Sequence, residues 1–556
     1  MRLPGFLRPR LNSPLSLTWL AALWMGLLCN WPLWRRMLDL PELGDAAGRL
    51  FVLVFAGMVV SLTAGLLSLL CWRGLIKPVL ALCLLTAAAL THFMSSYGIV
   101  VDPGMIVNVL HTDVRETRDL LSLRLFLTLA LLGGLPSWWL WRRPLAHRQL
   151  LPSLGLNLLS LALGMALAVA LAMSSFAELA STMRNHKALR YMINPMTAFW
   201  SLGSVVLESQ QAPQGPPQVL GADARLTPRP AGSKPPLFML VVGETARSAN
   251  FSLNGYARNT NPELAKLEVL SFRAVSSCGT STAASLPCMF SPLGREAYGS
   301  QQGAHENLLD VLQRAGLAVL WLDNQSGCKG LCERIPNSMA ATPAAGAAPL
   351  PDGLCDGEEC LDAALLHGLD QRIAALDPAR VARGVVLVLH QMGSHGPAYY
   401  KRSPATAKPF QPECRSNALQ QCPREQVLNA YDNTIAYTDH VLAGLIAWLK
   451  TQQARFDTSL LYASDHGESL GENKLYLHGM PYAVAPPEQK QVPLILWLPE
   501  PSARAAGVSR SCLGQRLDQP LSHDQLFHTT LGLMGVQTSV MRSDWDLLAP
   551  CRPGKP

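Results

Sequence analysis

The 556 residues are too many for one ordinary domain, and they are unevenly composed. Residues 1–175 are dominated by Leu, Ala, Trp and Val, while the remainder looks like a soluble protein, and the formal net charge of +7 is accounted for by arginines flanking the apolar stretches. No basic stretch interleaved with aromatics points to nucleic acid.

Five apolar stretches come first, at about 14–34, 50–71, 78–98, 121–141 and 151–173, each long enough to cross a bilayer core of roughly 30 Å. They are nearly free of charge, and Arg124 sits near an end where it can snorkel. Arg2, Arg8 and Arg10 precede the first stretch, Arg73 and Lys77 the third, and Arg142, Arg143 and Arg148 the fifth. The other two loops mix Arg35, Arg36, Arg115 and Arg118 with Asp39, Glu42, Asp45, Asp102, Asp113, Glu116 and Asp119. By the positive-inside rule the N-terminus is expected in the cytoplasm, and an odd number of spans exports everything after about residue 174. The first stretch is too long for a signal peptide and has no small-residue cleavage site.

Residues 174–200 mix Arg184, His186, Lys187 and Arg190 with Met183, Tyr191, Met192 and Trp200. This suits a helix lying on the outer membrane surface, and equally a simple stalk. Residues 209–236 are rich in Pro, Gln and Gly and read as a flexible linker. From Pro236 onward strands and helices alternate. Strands are expected at Leu237–Gly243, Ala318–Leu322, Val385–Leu389, Ser459–Ala463 and Val492–Leu498, with helices near 305–315, 361–375 and 425–452. That alternation predicts an α/β sandwich with a mostly parallel sheet. The expected domains are therefore a five-helix transmembrane bundle at 1–175, an interfacial helix and linker at 176–235, and an exported α/β domain at 236–556.

Cysteine usage agrees with export. Cys29, Cys71 and Cys83 lie within or at the edge of spans and read as free apolar thiols. The ten others, Cys278, Cys288, Cys328, Cys332, Cys355, Cys360, Cys414, Cys422, Cys512 and Cys551, all fall in the exported part, an even number that fits an oxidising compartment. Pairing by neighbour is the simplest of the connectivities, and Cys414–Cys422 then ties a surface insertion. A zinc site on Cys328 and Cys332 is the rival reading.

Two expected strands stop abruptly at groups able to ligate a metal: one at Glu244, the other at Asp465 and His466. The crevice beyond the carboxyl ends of such strands is where open α/β sheets bind ligands. Glu244 alone reads more simply as the cap of a following helix, whereas Asp465-His466-Gly467-Glu468 leans towards a ligand set. The segment Ser277–Cys288 offers the hydroxyls of Thr280, Ser281, Thr282 and Ser285. A hydroxyl is a poor nucleophile at neutral pH unless a base or metal activates it. No nucleophile elbow with a Ser-His-Asp set is present, so metal activation is the better account. The same segment can simply open a helix, whose N-terminus also favours phosphate. His395 and His478 follow separate strand ends and suggest a second metal or a phosphate-oxygen contact. Lys329 could hold a phosphate or lie solvated.

Four segments carry a resemblance: GETARSANFSLNGYARNTNP from Gly243, SCGTSTAASLPCMFS from Ser277, HQMGSHGPAYY from His390 and SDHGESLGENKLYLHG from Ser464. They resemble the lipid A phosphoethanolamine transferases, which include the mobile colistin-resistance enzymes and belong to the alkaline phosphatase and sulfatase superfamily. The resemblance extends over nearly the whole chain. It implies Thr282 as nucleophile, and zinc held by Glu244, Asp465, His466 and Thr282, one ion firmly and a second beside it as an option. It further implies substrate contacts from His395, His478, Ser326 and Lys329, and membrane-side contacts from Asn108, Thr112 and Glu116. The Ala/Pro-rich segment Asn337–Leu354 and the short Cys355–Cys360 loop depart mildly from the family pattern.

The implied reaction is a two-step transfer. Thr282 takes phosphoethanolamine from phosphatidylethanolamine, and a lipid A phosphate then accepts it, which lowers susceptibility to polymyxins. The implied setting is the bacterial inner membrane, with a periplasmic catalytic domain in a monomer. Rivals are a sister transferase with a core-sugar or glucan acceptor, a hydrolase, and a non-catalytic membrane sensor. Sulfatases need a C/S-x-P-x-R segment that CGTST lacks, and the retained ligand set argues against a sensor.

Overall fold

The computed structural model describes residues 13–552 except 73, 113, 146–149, 212–214, 302 and 358; the side chains of 114–116, 187 and 208–211 also lie outside that description. Arg2, Arg8, Arg10, Arg73, Asp113 and Arg148, and the side chains of Arg115, Glu116 and Lys187, are therefore outside the described residues. The chain forms two compact units, Met1–Ile106 with Leu121–Glu208, and Val107–Leu120 with Ser209–Pro556.

The first unit is helical, and in chain order its helices are α1 Pro14–Trp24, α2 Trp31–Leu38, α3 Ala46–Ser68, α4 Ile76–Tyr97, the start of α5 Pro103–His111, then, after α6 Val114–Leu120 of the second unit, α7 Leu123–Trp141, α8 Leu150–Ser174, α9 Phe176–Asn185 and α10 Met196–Gln211. Among the described residues α3, α4, α7 and α8 are long and apolar enough to cross a membrane. The expected first span differs. After α1 a π-helical turn covers Met25–Cys29, Asn30 leaves helical geometry, and α2 restarts with Pro32 in its first turn. Pro32 has no N–H to donate to Leu28, and its ring crowds that carbonyl, so one continuous helix cannot form. The Asn30 side chain fills the break, donating to the carbonyls of Met25 at 2.9 Å and Asn194 at 2.8 Å. Along α3 and α8 the backbones approach closely: a Cβ on Gly164 would stand 2.7 Å from the Ser61 carbonyl oxygen, so only glycine fits.

The second unit is built on one eight-stranded sheet. Its strands are β1 Pro236–Gly243, β2 Leu270–Ser276, β3 Ala318–Asp323, β4 Asn337–Met339, β5 Val385–His390, β6 Asp457–Ser464, β7 Gln491–Trp497 and β8 Leu521–Ser522. The order is β8-β2-β7-β6-β1-β5-β3-β4, with β1 central and parallel to β5 and β6, and β7 antiparallel to β6 and β2. Every residue of β1 is buried, as a parallel strand covered on both faces requires. Its alternation sends Phe238, Leu240 and Val242 into one core and Leu237, Met239 and Val241 into the other. Helices α11 Thr282–Met289, α12 Leu308–Arg314 and α14 Asp524–Met534 pack in the first layer, and α13 Arg424–Thr451 in the second. The predicted helix near 361–375 is interrupted: a 3-10 turn at Asp362–Leu366 and a helix at Leu369–Ala374 flank Gly368, whose φ is +68°. The sequence around 216–235 is not a free tether. Arg225–Leu226 pairs with Val536–Gln537, Thr227 N–H donates to Gly535 C=O at 2.8 Å, and Arg229 pairs with Asp457 at 2.9 Å. Its Pro and Gly content prevents regular structure rather than attachment.

Candidate metal and phosphoryl-transfer site

The parallel strands β1 and β6 run side by side in register, Gly243 opposite Ser464, so their next residues emerge together at one sheet edge. Those residues are Glu244, Asp465 and His466, all fully buried. One ligand atom from each lies within 4.8 Å of the others. His466 Nε2 is 3.2 Å from Glu244 Oε1 and 3.5 Å from Asp465 Oδ2. Gly467 lets the chain turn tightly behind them, since a Cβ there would meet the Glu488 carbonyl oxygen at 2.1 Å.

Neighbours fix each group. Asp465 Oδ1 accepts from the backbone N–H of Thr245 at 3.1 Å and of His466 at 2.8 Å, while its buried Oδ2 has no hydrogen-bond partner among the described residues. Thr245 Oγ1 donates to Glu244 Oε1 at 2.6 Å and Gln325 Nε2 to Oε2 at 3.1 Å. Thr245 holds a φ of 60°, a left-handed conformation costly for a β-branched residue and typical of sites that the surroundings over-determine. His466 Nδ1 lies 2.9 Å from the Gly467 carbonyl oxygen. A donated Nδ1–H leaves the Nε2 lone pair facing the carboxylates.

This donor set suits a divalent cation. Two carboxylates and an imidazole nitrogen are the ligand types zinc takes, and Asp465 Oδ2 is an uncommitted acceptor. Electrostatics agree. Burial and the Glu244 charge push Asp465 up to about 6. Burial opposes charging of His466, yet Asp465 and Glu244 raise it to about 10. Burial likewise opposes ionisation of Glu244, and its hydrogen bond with His466 overrides that and holds it low. The cluster demands positive charge among its members.

Of the four hydroxyls between Cys278 and Cys288, Thr282 faces this cluster. Its Oγ1 stands 3.0 and 3.2 Å from the Glu244 oxygens and 3.5 Å from His466 Nε2, at the first residue of α11. Thr280 Oγ1 instead donates to the Met480 carbonyl at 2.6 Å and Ser285 Oγ to that of Asp465 at 2.5 Å. A small cavity of about 60 Å³ opens over Thr282, with Gln325, Ser326, Lys329, His395 and His478 on its walls. Residues 107–120 belong to this same unit, and Asn108, His111 and Thr112 complete the lining. Glu116 is the one expected contact whose side chain lies outside the described residues. Lys329 Nζ donates to Ser326 Oγ at 3.1 Å. Burial depresses His395 to about 3, so its ring is neutral. Five bridges join the ten cysteines of the second unit in neighbour order, Cys278–Cys288, Cys328–Cys332, Cys355–Cys360, Cys414–Cys422 and Cys512–Cys551.

Several supporting residues escape sequence reasoning. Gln325 and Thr245 hold Glu244. Glu468 is fully buried, accepts a short hydrogen bond from Tyr399 Oη, and lies 2.9 Å from His478 Nδ1, which orients that ring. His523 Nδ1 accepts the Cys278 N–H at 3.0 Å while Nε2 donates to the Ser464 carbonyl at 2.9 Å, tying the Thr282 segment to β6. Arg402 Nε donates to the His395 carbonyl at 2.9 Å. Only Glu468 had a signal, as the last residue of the DHGE run.

Comparison with known proteins agrees with this geometry. Residues 236–536 match the sulfatase family, and residues 59–209 match the phosphoethanolamine transferase EptA/EptB family. The chain is 41% identical to phosphoethanolamine transferase EptA of Escherichia coli K12 across 98% of each protein. It is 37% identical to phosphatidylethanolamine transferase Mcr-1 from Escherichia coli, over 94% of this chain and 95% of that one. The solved integral-membrane lipooligosaccharide phosphoethanolamine transferase A of Neisseria meningitidis superposes with a TM-score of 0.90 at 33% identity, over 97% of this chain and 98% of its own. With membrane helices, sulfatase-type domain and full-length likeness all in agreement, this chain belongs to the phosphoethanolamine transferase family.

Proposed function

We propose that this protein transfers phosphoethanolamine from phosphatidylethanolamine to a phosphate of lipid A, by way of a covalent phosphoethanolamine–Thr282 intermediate. The observation that carries the reading is the hydrogen bond of Thr282 Oγ1 to buried Glu244, at the head of a helix and beside His466. Zinc held by Glu244, Asp465, His466 and Thr282 would lower the pKa of the threonine hydroxyl and offset charge on the phosphoryl oxygens.

In the first step Thr282 Oγ1 attacks phosphorus, its proton passing to the Glu244 carboxylate. The bond from phosphorus to the diacylglycerol oxygen breaks, and diacylglycerol leaves with the proton that Glu244 received. In the second step an oxygen of a singly protonated lipid A phosphate attacks the same phosphorus, the bond from phosphorus to Thr282 Oγ1 breaks, and the threonine oxygen takes up the proton that the accepting phosphate gives up. Lys329 neutralises a phosphoryl oxygen as a point charge, with Ser326 beside it. His395 and His478 face the leaving and entering oxygens or a second ion, and the Glu468 carboxylate fixes the His478 ring. Asn108, Thr112 and Glu116 receive the lipid headgroup.

Four long apolar helices and the shorter α1 with its π turn support a five-span anchor with the N-terminus in the cytoplasm and the 236–556 domain in the periplasm of the inner membrane. Residues 176–200 then serve as the interfacial helix. One chain supplies every side chain of the site, so a monomer suffices. Adding an amine to a lipid A phosphate reduces negative surface charge, which should lower susceptibility to polymyxin. Mass spectrometry of lipid A from cells producing Thr282→Ala tests the assignment: the phosphoethanolamine adduct should vanish.

A further inference from the structure

The first unit contains an apolar slot that phosphoryl transfer does not use. Helices α1 and α7 both pack on α4, and between them lies a cavity of about 440 Å³. Leu17, Leu20 and Trp24 of α1 form one wall, Trp138 and Trp139 of α7 the other, and Leu84 of α4 the floor. The Trp24 indole N–H donates to the Leu132 carbonyl at 3.0 Å and ties the two walls together at the far end. From Leu17 to Trp24 the slot runs along about 10 Å of helix.

Two guanidiniums stand on the tryptophans that line it. The Arg142 guanidinium sits 4.6 Å from the Trp138 ring and that of Arg143 4.3 Å from the Trp139 ring, so the tryptophans that wall the slot also carry two positive charges. Lys77 Nζ caps the end of α7 through the Trp141 carbonyl at 2.9 Å. Among the described residues no carboxylate pairs with Arg142, Arg143 or Lys77. A wholly apolar slot under two uncommitted guanidiniums is complementary to one molecule a bilayer supplies, a phospholipid with a net negative headgroup.

We propose that the slot binds an anionic phospholipid, with one acyl chain between α1 and α7 and the phosphate on Arg142 and Arg143. The slot belongs to the first unit and Thr282 to the second, and the proposal does not depend on the reaction assigned to Thr282.

The test is native mass spectrometry of the full-length protein released from nanodiscs of dioleoyl-phosphatidylglycerol or dioleoyl-phosphatidylcholine. The wild type should retain one phosphatidylglycerol through activation and no comparable phosphatidylcholine. Arg142→Gln/Arg143→Gln should weaken retention about thirtyfold, the effect of two interfacial cations, while Arg142→Lys/Arg143→Lys keeps it and so excludes misfolding as the cause. Ala21→Phe, which fills the slot and leaves the charges in place, should lose the lipid as well. Equal retention of the two lipids, retention by the double glutamine variant, or retention by Ala21→Phe would overturn the proposal.

Discussion

Asp119 and Lys401, 282 residues apart in the chain, are joined by an ion pair of 2.6 Å. Asn417 Nδ2 also donates to the Asp119 carbonyl at 2.6 Å, and Arg402, 3.8 Å from Asp119, holds the His395 carbonyl. The pair therefore fastens the segment bearing Asn108 and Thr112 to the strand-end loop bearing His395. Lys401 is 39% exposed, so solvent screens the pair. Asp119→Asn should raise KM for phosphatidylethanolamine roughly three- to fivefold with kcat little changed, the loss of at most about 1 kcal/mol of binding. Turnover of a fluorescent phosphatidylethanolamine measures both constants.

Gln325 lines the cavity over Thr282 and donates to Glu244 Oε2 at 3.1 Å. Gln325→Ala frees that carboxylate oxygen, and removing such an outer partner weakens metal binding by about 10- to 100-fold. Zinc retained against a graded chelator reads this directly. Unchanged zinc affinity would mean that Thr245 alone holds Glu244.

His523 gives a pH prediction for stability. Burial lowers it from 6.5 to about 3, since the neutral ring must accept the Cys278 N–H and donate to Ser464. Between those values the unfolded chain binds a proton that the native protein does not. Stability should therefore fall as pH drops below about 6.5, by up to about 1.4 kcal/mol per pH unit from this residue. Denaturant unfolding at several pH values should give a slope smaller by about one proton in His523→Asn. An unchanged slope would remove His523 from the account.

The Cys278–Cys288 bridge spans ten residues and encloses the Thr282 turn. Cys278→Ser/Cys288→Ser should destabilise the protein by about 2–3 kcal/mol, from the chain-entropy value of a short loop. Thermal unfolding of the purified full-length protein, alongside zinc content, separates a general loss of stability from a local loosening of the site.

The central strands could be read from the sequence because burial on both faces makes β1, β5 and β6 continuous apolar runs. Their sudden ends at Glu244 and Asp465 disclosed the candidate metal ligands for the same reason. Leu270–Ser276 escaped because Arg273 interrupts it, and β8 because two residues carry no period. The break at Asn30 depends on one proline whose effect hydropathy averages away. Choosing among four hydroxyls needed the family resemblance, and the bonds of Thr280 and Ser285 to carbonyls supply the physical reason. Gln325 and His523 left no trace, since an isolated amide or imidazole acquires a role only from what folding brings beside it.

The account stands or falls on Thr282. Lipid A mass spectrometry in a strain lacking its own transferases should find the phosphoethanolamine adduct with the wild-type protein and none with Thr282→Ala at equal membrane abundance. An undiminished adduct on lipid A in the Thr282→Ala strain would contradict the nucleophile assignment, and a wild-type adduct found only on core sugars would contradict the acceptor.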